Sequence, residues 1–150
     1  MSYANVEDAL AAQLNNVAGF STAAGTGNVT KGDYRVFGRG VGSAIVIEYD
    51  GFEQRRAEMD GNHEIDWRFN LGLFIRVQDE GAGVSEAGIV RQSVIDRINE
   101  YPNLGTSIIF DAMIENGDAA PEDIEMGGVR FAVEFLRGIA TEMVSVSYAE

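Results

Sequence analysis

The chain has 150 residues, of which 45% are hydrophobic and 23% charged, the size and composition of one globular domain. It contains no cysteine, which excludes a disulfide framework, a thiolate nucleophile and a cysteine metal site. No apolar run approaches the roughly 20 residues of a membrane-spanning helix, and the start of the chain lacks a basic-then-apolar leader pattern, so the expected compartment is the cytoplasm of the cell that makes it.

The formal net charge is −13, from 24 acidic and 11 basic residues. Ten of the basic residues are arginine, the exception being Lys31, and only Arg55 and Arg56 are adjacent. A phosphate-neutralising patch needs grouped cations, so tight nucleic-acid binding is not expected. The acidity serves solubility in the simplest reading. In a sharper one it marks a surface that DNA passes without sticking, because phosphate and carboxylate repel.

In chain order, residues 5–17 read as a first helix: Val6, Leu10, Leu14 and Val17 form one apolar stripe, Asn5 is a candidate cap and Gly19 a stop. Residues 21–32 (STAAGTGNVTKG) have the composition of a flexible loop. Glycines 38, 40 and 42 resemble a nucleotide loop only superficially, lacking both the Lys-Ser/Thr of one motif and the third glycine of the other. Residues 44–49 (AIVIEY) form a strand that Asp50-Gly51 should close. A polar connection over residues 52–64 follows, with Asp60-Gly61 as its turn.

The strongest pattern comes next. Ile65, Trp67, Phe69, Leu71, Leu73, Ile75 and Val77 alternate with Asp66, Arg68, Asn70, Gly72, Phe74 and Arg76. Strict period-2 alternation over this length predicts a strand with one face in a core, far longer than the usual five or six residues. Phe74 alone breaks the polar face, which marks it as an interface anchor or a residue under a loop. After an acidic loop at Asp79 and Glu80, a second helix should start at Ser85. Val90, Val94, Ile98 and Tyr101, widened by Ile89 and Ile95, form its buried face, and Pro102 ends it. Residues 108–114 read as a short strand, and the acidic stretch 115–125 as a loop or helical turn. In the last segment Val129, Phe131, Val133 and Phe135 share one phase, while Val144, Val146 and Tyr148 share the other. A flip near Arg137-Gly138 predicts a bulge or bend. The fold class is α+β, a mainly antiparallel sheet of long strands with two helices on one face.

Chemistry is sparse. His63 is the one histidine and falls in the charged connection, where a solvated loop residue explains it. Acidic pairs such as Asp79-Glu80 and Glu122-Asp123 arise in any chain this acidic, and neither Asp60-Gly61-Asn62 nor residues 115–118 has the ligand register of a calcium loop. No catalytic, metal or cofactor site is expected, and the reading is non-enzymatic.

The layout of a short helix, a strand after a variable loop, the long strand DWRFNLGLFIRVQDE, the helix SEAGIVRQSVIDRINEY, a short strand and the closing GVRFAVEFLRGIATEMVSVSY resembles the tail terminator proteins of long-tailed bacteriophages, the group that includes the minor tail protein U of phage lambda. The resemblance implies a virion subunit, made in the host cytoplasm, that forms a homo-oligomeric, hexameric ring at the head-proximal end of the tail tube. Its partners would be the tail tube protein and the neck or head–tail connector, with DNA passing through the lumen. On that reading Phe74, Arg55, Arg56 and Arg76 are candidate intersubunit residues, and Asp79, Glu80, Asp118, Glu122 and Asp123 candidate lumen residues. A neck or head-completion connector, a tail-tube-like subunit and a non-viral ligand-binding module remain as alternatives.

Overall fold

The computed structural model describes residues 3–14, 27–31, 43–56, 62–76, 82–106, 109–126 and 129–145. Among them are two helices, α1 (Tyr3–Leu14) and α2 (Ala82–Glu100), and six strands: β1 (Gly27–Lys31), β2 (Ser43–Arg56), β3 (Asn62–Arg76), β4 (Ile109–Gly117), β5 (Glu122–Met126) and β6 (Val129–Ser145). The strands form one sheet in the order β1-β2-β3-β6-β4, with β5 also on β6. Every pairing is antiparallel except β1 with β2. The α+β, mainly antiparallel fold class is therefore as the alternation requires.

The seven-residue alternation supplies the central strand. Trp67, Phe69, Leu71, Leu73 and Ile75 are buried on the face that carries Val6, Leu10 and Leu14 of α1 and Val94 and Ile98 of α2. Burying a Leu, Ile or Phe side chain contributes about 1.5–3 kcal/mol each, so this face dominates the stability. Ile45 and Ile47 of β2 stand level with Leu73 and Leu71 and complete it.

β6 pairs with β3 from Asn62↔Ser145 to Arg76↔Phe131 without a register shift, so the expected bulge at Arg137-Gly138 is absent from this pairing. The phase flip has another cause. The first half of β6 buries Phe131 and Val133 on the far face, and the second half buries Leu136 and Ala140 on the helix face. Gly138 marks the change because it lies opposite Phe69, whose ring a Cβ there would meet at 2.4 Å. The shifts that do occur lie at Tyr49/Phe52 of β2 and in the β4–β6 pairing, where the one between Ile114 and Asn116 falls opposite Gly138 and Arg137, so the irregularity expected there is carried by β4 rather than by β6.

Four other expectations need correction. Asp50-Gly51 does not close β2: Gly51, at φ 95°, sits in a bulge and the strand runs on to Arg56. The acidic stretch 115–125 is largely strand, ending β4 and forming β5, because an outermost strand tolerates charge on its solvated sides. Residues 27–31, within the expected loop, form β1, whose Val29 and Thr30 are β-branched strand formers; residues 21–26 and 32 lie outside the described residues. The helices start earlier than expected, at Tyr3 and Ala82, so Asn5 and Ser85 are internal rather than caps, and Ile89, at 68% exposure, lies off the buried face. The glycines at 38, 40 and 42, the Asp60-Gly61 turn, Val17 and Val77 fall outside the described residues.

β4 and β5 act as one interrupted strand along the outer side of β6. Where the ladder breaks, Asp118 restores it: its N–H donates to the Phe135 carbonyl at 3.0 Å, and its Oδ2 accepts from the Phe135 N–H at 3.0 Å. The Arg137 guanidinium donates to Asp118 Oδ1 at 3.1 Å and to Asn116 Oδ1 at 3.3 Å. At the end of α2, Leu104 takes a left-handed conformation with φ 52° while fully buried. Its carbonyl accepts from Gln13 Nε2 at 3.2 Å, and Gln13 Oε1 accepts from Arg97 Nε at 3.1 Å, which ties α1 to α2.

Candidate assembly surface

The two faces of the sheet differ in kind. On the far face a second apolar cluster of Ala44, Val46, Phe74, Phe131 and Val133, with Ile124 and Phe135 packed against it, closes one end of the sheet. Phe74 is 3% exposed and meets Phe131 edge-on at 6.3 Å. It is therefore a core residue, and its assignment as an exposed interface anchor is corrected: cross-strand neighbours Ala44 and Val133 supply the apolar surroundings that the alternation of β3 alone does not reveal.

The other end of the far face is polar. Arg68 reaches Glu53 of β2 at 3.7 Å and Glu115 of β4 at 3.4 Å, so one guanidinium links charges across four strands. Each of these side chains is well exposed, and such pairs contribute little to stability. Met113 and Met143 are exposed on this face, and Asp66 is buried beside Thr141, whose hydroxyl donates to it at 2.7 Å.

On the helix face, beyond α1, aromatic rings gather at the side of the sheet. Tyr3 lies 4.5 Å from Tyr49 and 6.3 Å from Trp67, and Phe52 lies 5.4 Å from Trp67. Tyr49 and Phe52 remain 49% and 57% exposed. Burial first, and then the carboxylate of Glu7, the Tyr49 phenol and the carboxylates of Glu48 and Asp50, push the Tyr3 phenol well above its ordinary value.

Two carboxylates are buried on the helix face, Glu134 and Glu142. Arg91 of α2 donates to Glu134 Oε1 at 2.7 Å, whereas Glu134 Oε2 has no partner. Arg91 lies on α2 with its side chain still partly exposed, and its long stem carries the head inward to the carboxylate. Glu134 and Glu142 are eight residues apart on one strand, about 26 Å at strand rise, too far to share a substrate as an acid–base pair. A cleft of about 320 Å³ lies between α2 and the end of β4, lined by Arg91, Ile95, Ile114, Glu115, Asp118 and Leu136 among others. Among the described residues no group of three or more His, Asp or Glu side chains is placed to hold a metal ion. His63 stands in β3 rather than in a loop, with Nδ1 2.8 Å from Gln54 Nε2.

The candidate assembly residues separate accordingly. Arg55 and Arg56 end β2, in register with Glu64 and His63, and Arg76 ends β3, opposite Phe131. Asp118 is engaged in closing the β4–β6 ladder, while Glu122 and Asp123 are exposed on β5, where Asp123 lies 3.7 Å from Arg130. Asp79 and Glu80 fall outside the described residues. Two features had no signal in the sequence: the aromatic side of the sheet, which needs α1 and the far end of β2 brought together, and the Arg91–Glu134 pair, which joins positions 43 residues apart. No known protein-family model matches this chain, and no curated protein matches it.

Proposed function

We propose that this chain is a structural, non-enzymatic virion subunit that assembles as a ring, a hexamer by its resemblance, and terminates the head-proximal end of a phage tail tube. There it would meet the tube protein on one side and the neck connector on the other. The observation that carries the reading is the outer margin of the sheet. Residues 109–126, which make up β4, β5 and the link between them, hold Asp111, Glu115, Asp118, Glu122, Asp123 and Glu125 and no basic residue. Arginines of the neighbouring strands oppose three of these charges, at Glu115, Asp118 and Asp123, and the net negative margin that is left disfavours duplex DNA and suits the wall of a conduit. Strands of 14, 15 and 17 residues give each subunit a rigid slab on which to mount it.

Disrupting the gene in a phage that carries it separates the possibilities. Overlong tails are the expected result. Tails of normal length that fail to join filled heads would replace this reading with a neck connector, and wild-type particles would end both.

A further inference from the structure

Among the described residues, the outer side of β2 is covered only in part. β1 pairs with Ser43 to Ile47, and among the described residues no strand lies beside the remainder. Beyond the Gly51 bulge, residues 52–56 return to regular pairing with β3, from Phe52↔Trp67 to Arg56↔His63. Phe52 is 57% exposed, and Glu53 and Gln54 are exposed as well. A regular strand with no neighbour among the described residues is a template for another strand.

The order of residues in this segment, Phe-Glu-Gln-Arg-Arg, decides which strand fits. We propose that two copies of this chain pair through residues 52–56, antiparallel about a two-fold axis at Gln54, so that one sheet runs on into the other. Residues whose numbers sum to 108 then stand directly opposite. Glu53 faces the partner's Arg55, Phe52 faces the partner's Arg56, and the two Gln54 residues face each other. By strand alternation each facing pair lies on the same side of the joined sheet. The pairing places two opposite-charge pairs across the junction and sets Arg56 opposite the exposed Phe52 of the other copy. Glu53 already lies near Arg68, and a carboxylate has acceptor capacity for both.

The outer margin of β4 and β5 cannot pair with itself in this way, because every charge on it is negative. One side of the sheet is thus self-complementary and the other self-repelling. A two-fold contact closes on itself and builds no ring, so the pairing stands apart from the ring reading and does not rest on it.

Sedimentation velocity at about 100 µM protein and low salt tests the pairing, since a contact this small should be weak and concentration-dependent. The wild-type chain should show, beside any ring, a two-subunit species that grows with concentration and dissociates on dilution. Glu53→Arg and Arg55→Glu should each be monomeric, because each places like charges opposite one another. An equimolar mixture of the two variants should regain the dimer, with one chain of each kind, since both facing pairs are then arginine against glutamate, one as in the wild type and one with its sign reversed. A monomeric wild type, dimers of either variant alone, or a mixture that stays monomeric would overturn the proposal. Should a reversed-charge variant misfold, Glu53→Gln keeps the shape and removes one charge from each pair; a dimer unchanged in strength at low salt would then overturn it. Rings formed equally by wild type and both variants would refute the two-fold pairing and leave the ring reading intact.

Discussion

Replacing Gly138 with alanine is the sharpest test of the packing. The position is buried, and its backbone φ is not positive, so no conformational demand for glycine exists there. In open space Gly→Ala would stabilise by about 0.4–1 kcal/mol through the unfolded chain. Here the added Cβ would meet Phe69 Cζ at 2.4 Å, Phe69 Cε2 at 2.6 Å and the Met113 carbonyl oxygen at 2.8 Å. Carbon atoms prefer about 3.5–4.0 Å, so the ring must retreat by about 1 Å. Phe69 is fully buried under both helices, and the Met113 carbonyl belongs to the backbone of β4. Overpacking costs about 1–3 kcal/mol, and with two stiff obstacles the upper part of that range applies. Gly138→Ala should therefore lose about 2–3 kcal/mol, and the melting temperature should fall by about 6–10 °C for a domain of this length. Urea denaturation followed by circular dichroism gives the free energy. Phe69→Leu in the same chain removes the obstructing ring atoms, so the double variant should lose less than the sum of the two single changes by about 1–2 kcal/mol. A stabilising or neutral Gly138→Ala, or strict additivity with Phe69→Leu, would refute the close approach.

Other expectations follow from the same contacts. Arg91→Ala leaves Glu134 buried with neither oxygen paired and should cost about 3 kcal/mol, whereas Arg91→Leu combined with Glu134→Leu should recover most of that loss in chemical denaturation. Phe74→Asp places a carboxylate in the far-face cluster and should abolish cooperative unfolding rather than merely weaken assembly; a normally folded variant would return Phe74 to the surface. The Tyr3 phenol is held above its ordinary value of about 10. Its contribution is thus complete below about pH 10 and is lost as pH rises beyond that, so Tyr3→Phe should unfold at a higher pH than wild type in an alkaline titration. Labelled duplex DNA at low salt should show no binding; micromolar binding that weakens steeply with salt would contradict an acidic conduit.

How much was legible in the sequence follows from which forces act locally. The central strand was readable because each of its residues has a fixed face, and period-2 alternation reports burial directly. The stripe of Val6, Leu10 and Leu14 and the core pair Val94 and Ile98 were readable for the same reason at helical spacing. Asp50-Gly51 was not, because a turn and a bulge both need a glycine with positive φ, and only the partner strand distinguishes them. β5 was hidden by its charge, since Glu122, Asp123 and Glu125 suit an outer strand as well as a loop. Phe74 was misread because the far face is apolar at one end and polar at the other, and that division depends on β2 and β6 rather than on β3. Gly138 looked like a break in β6 when it is a space for a ring 69 positions earlier in the chain.

The central claim is that the chain assembles as a closed ring, and image averages of the concentrated, purified protein test it most directly. The account predicts discrete rings with an open centre. A field of monomers, or of closed dimers alone, would contradict it.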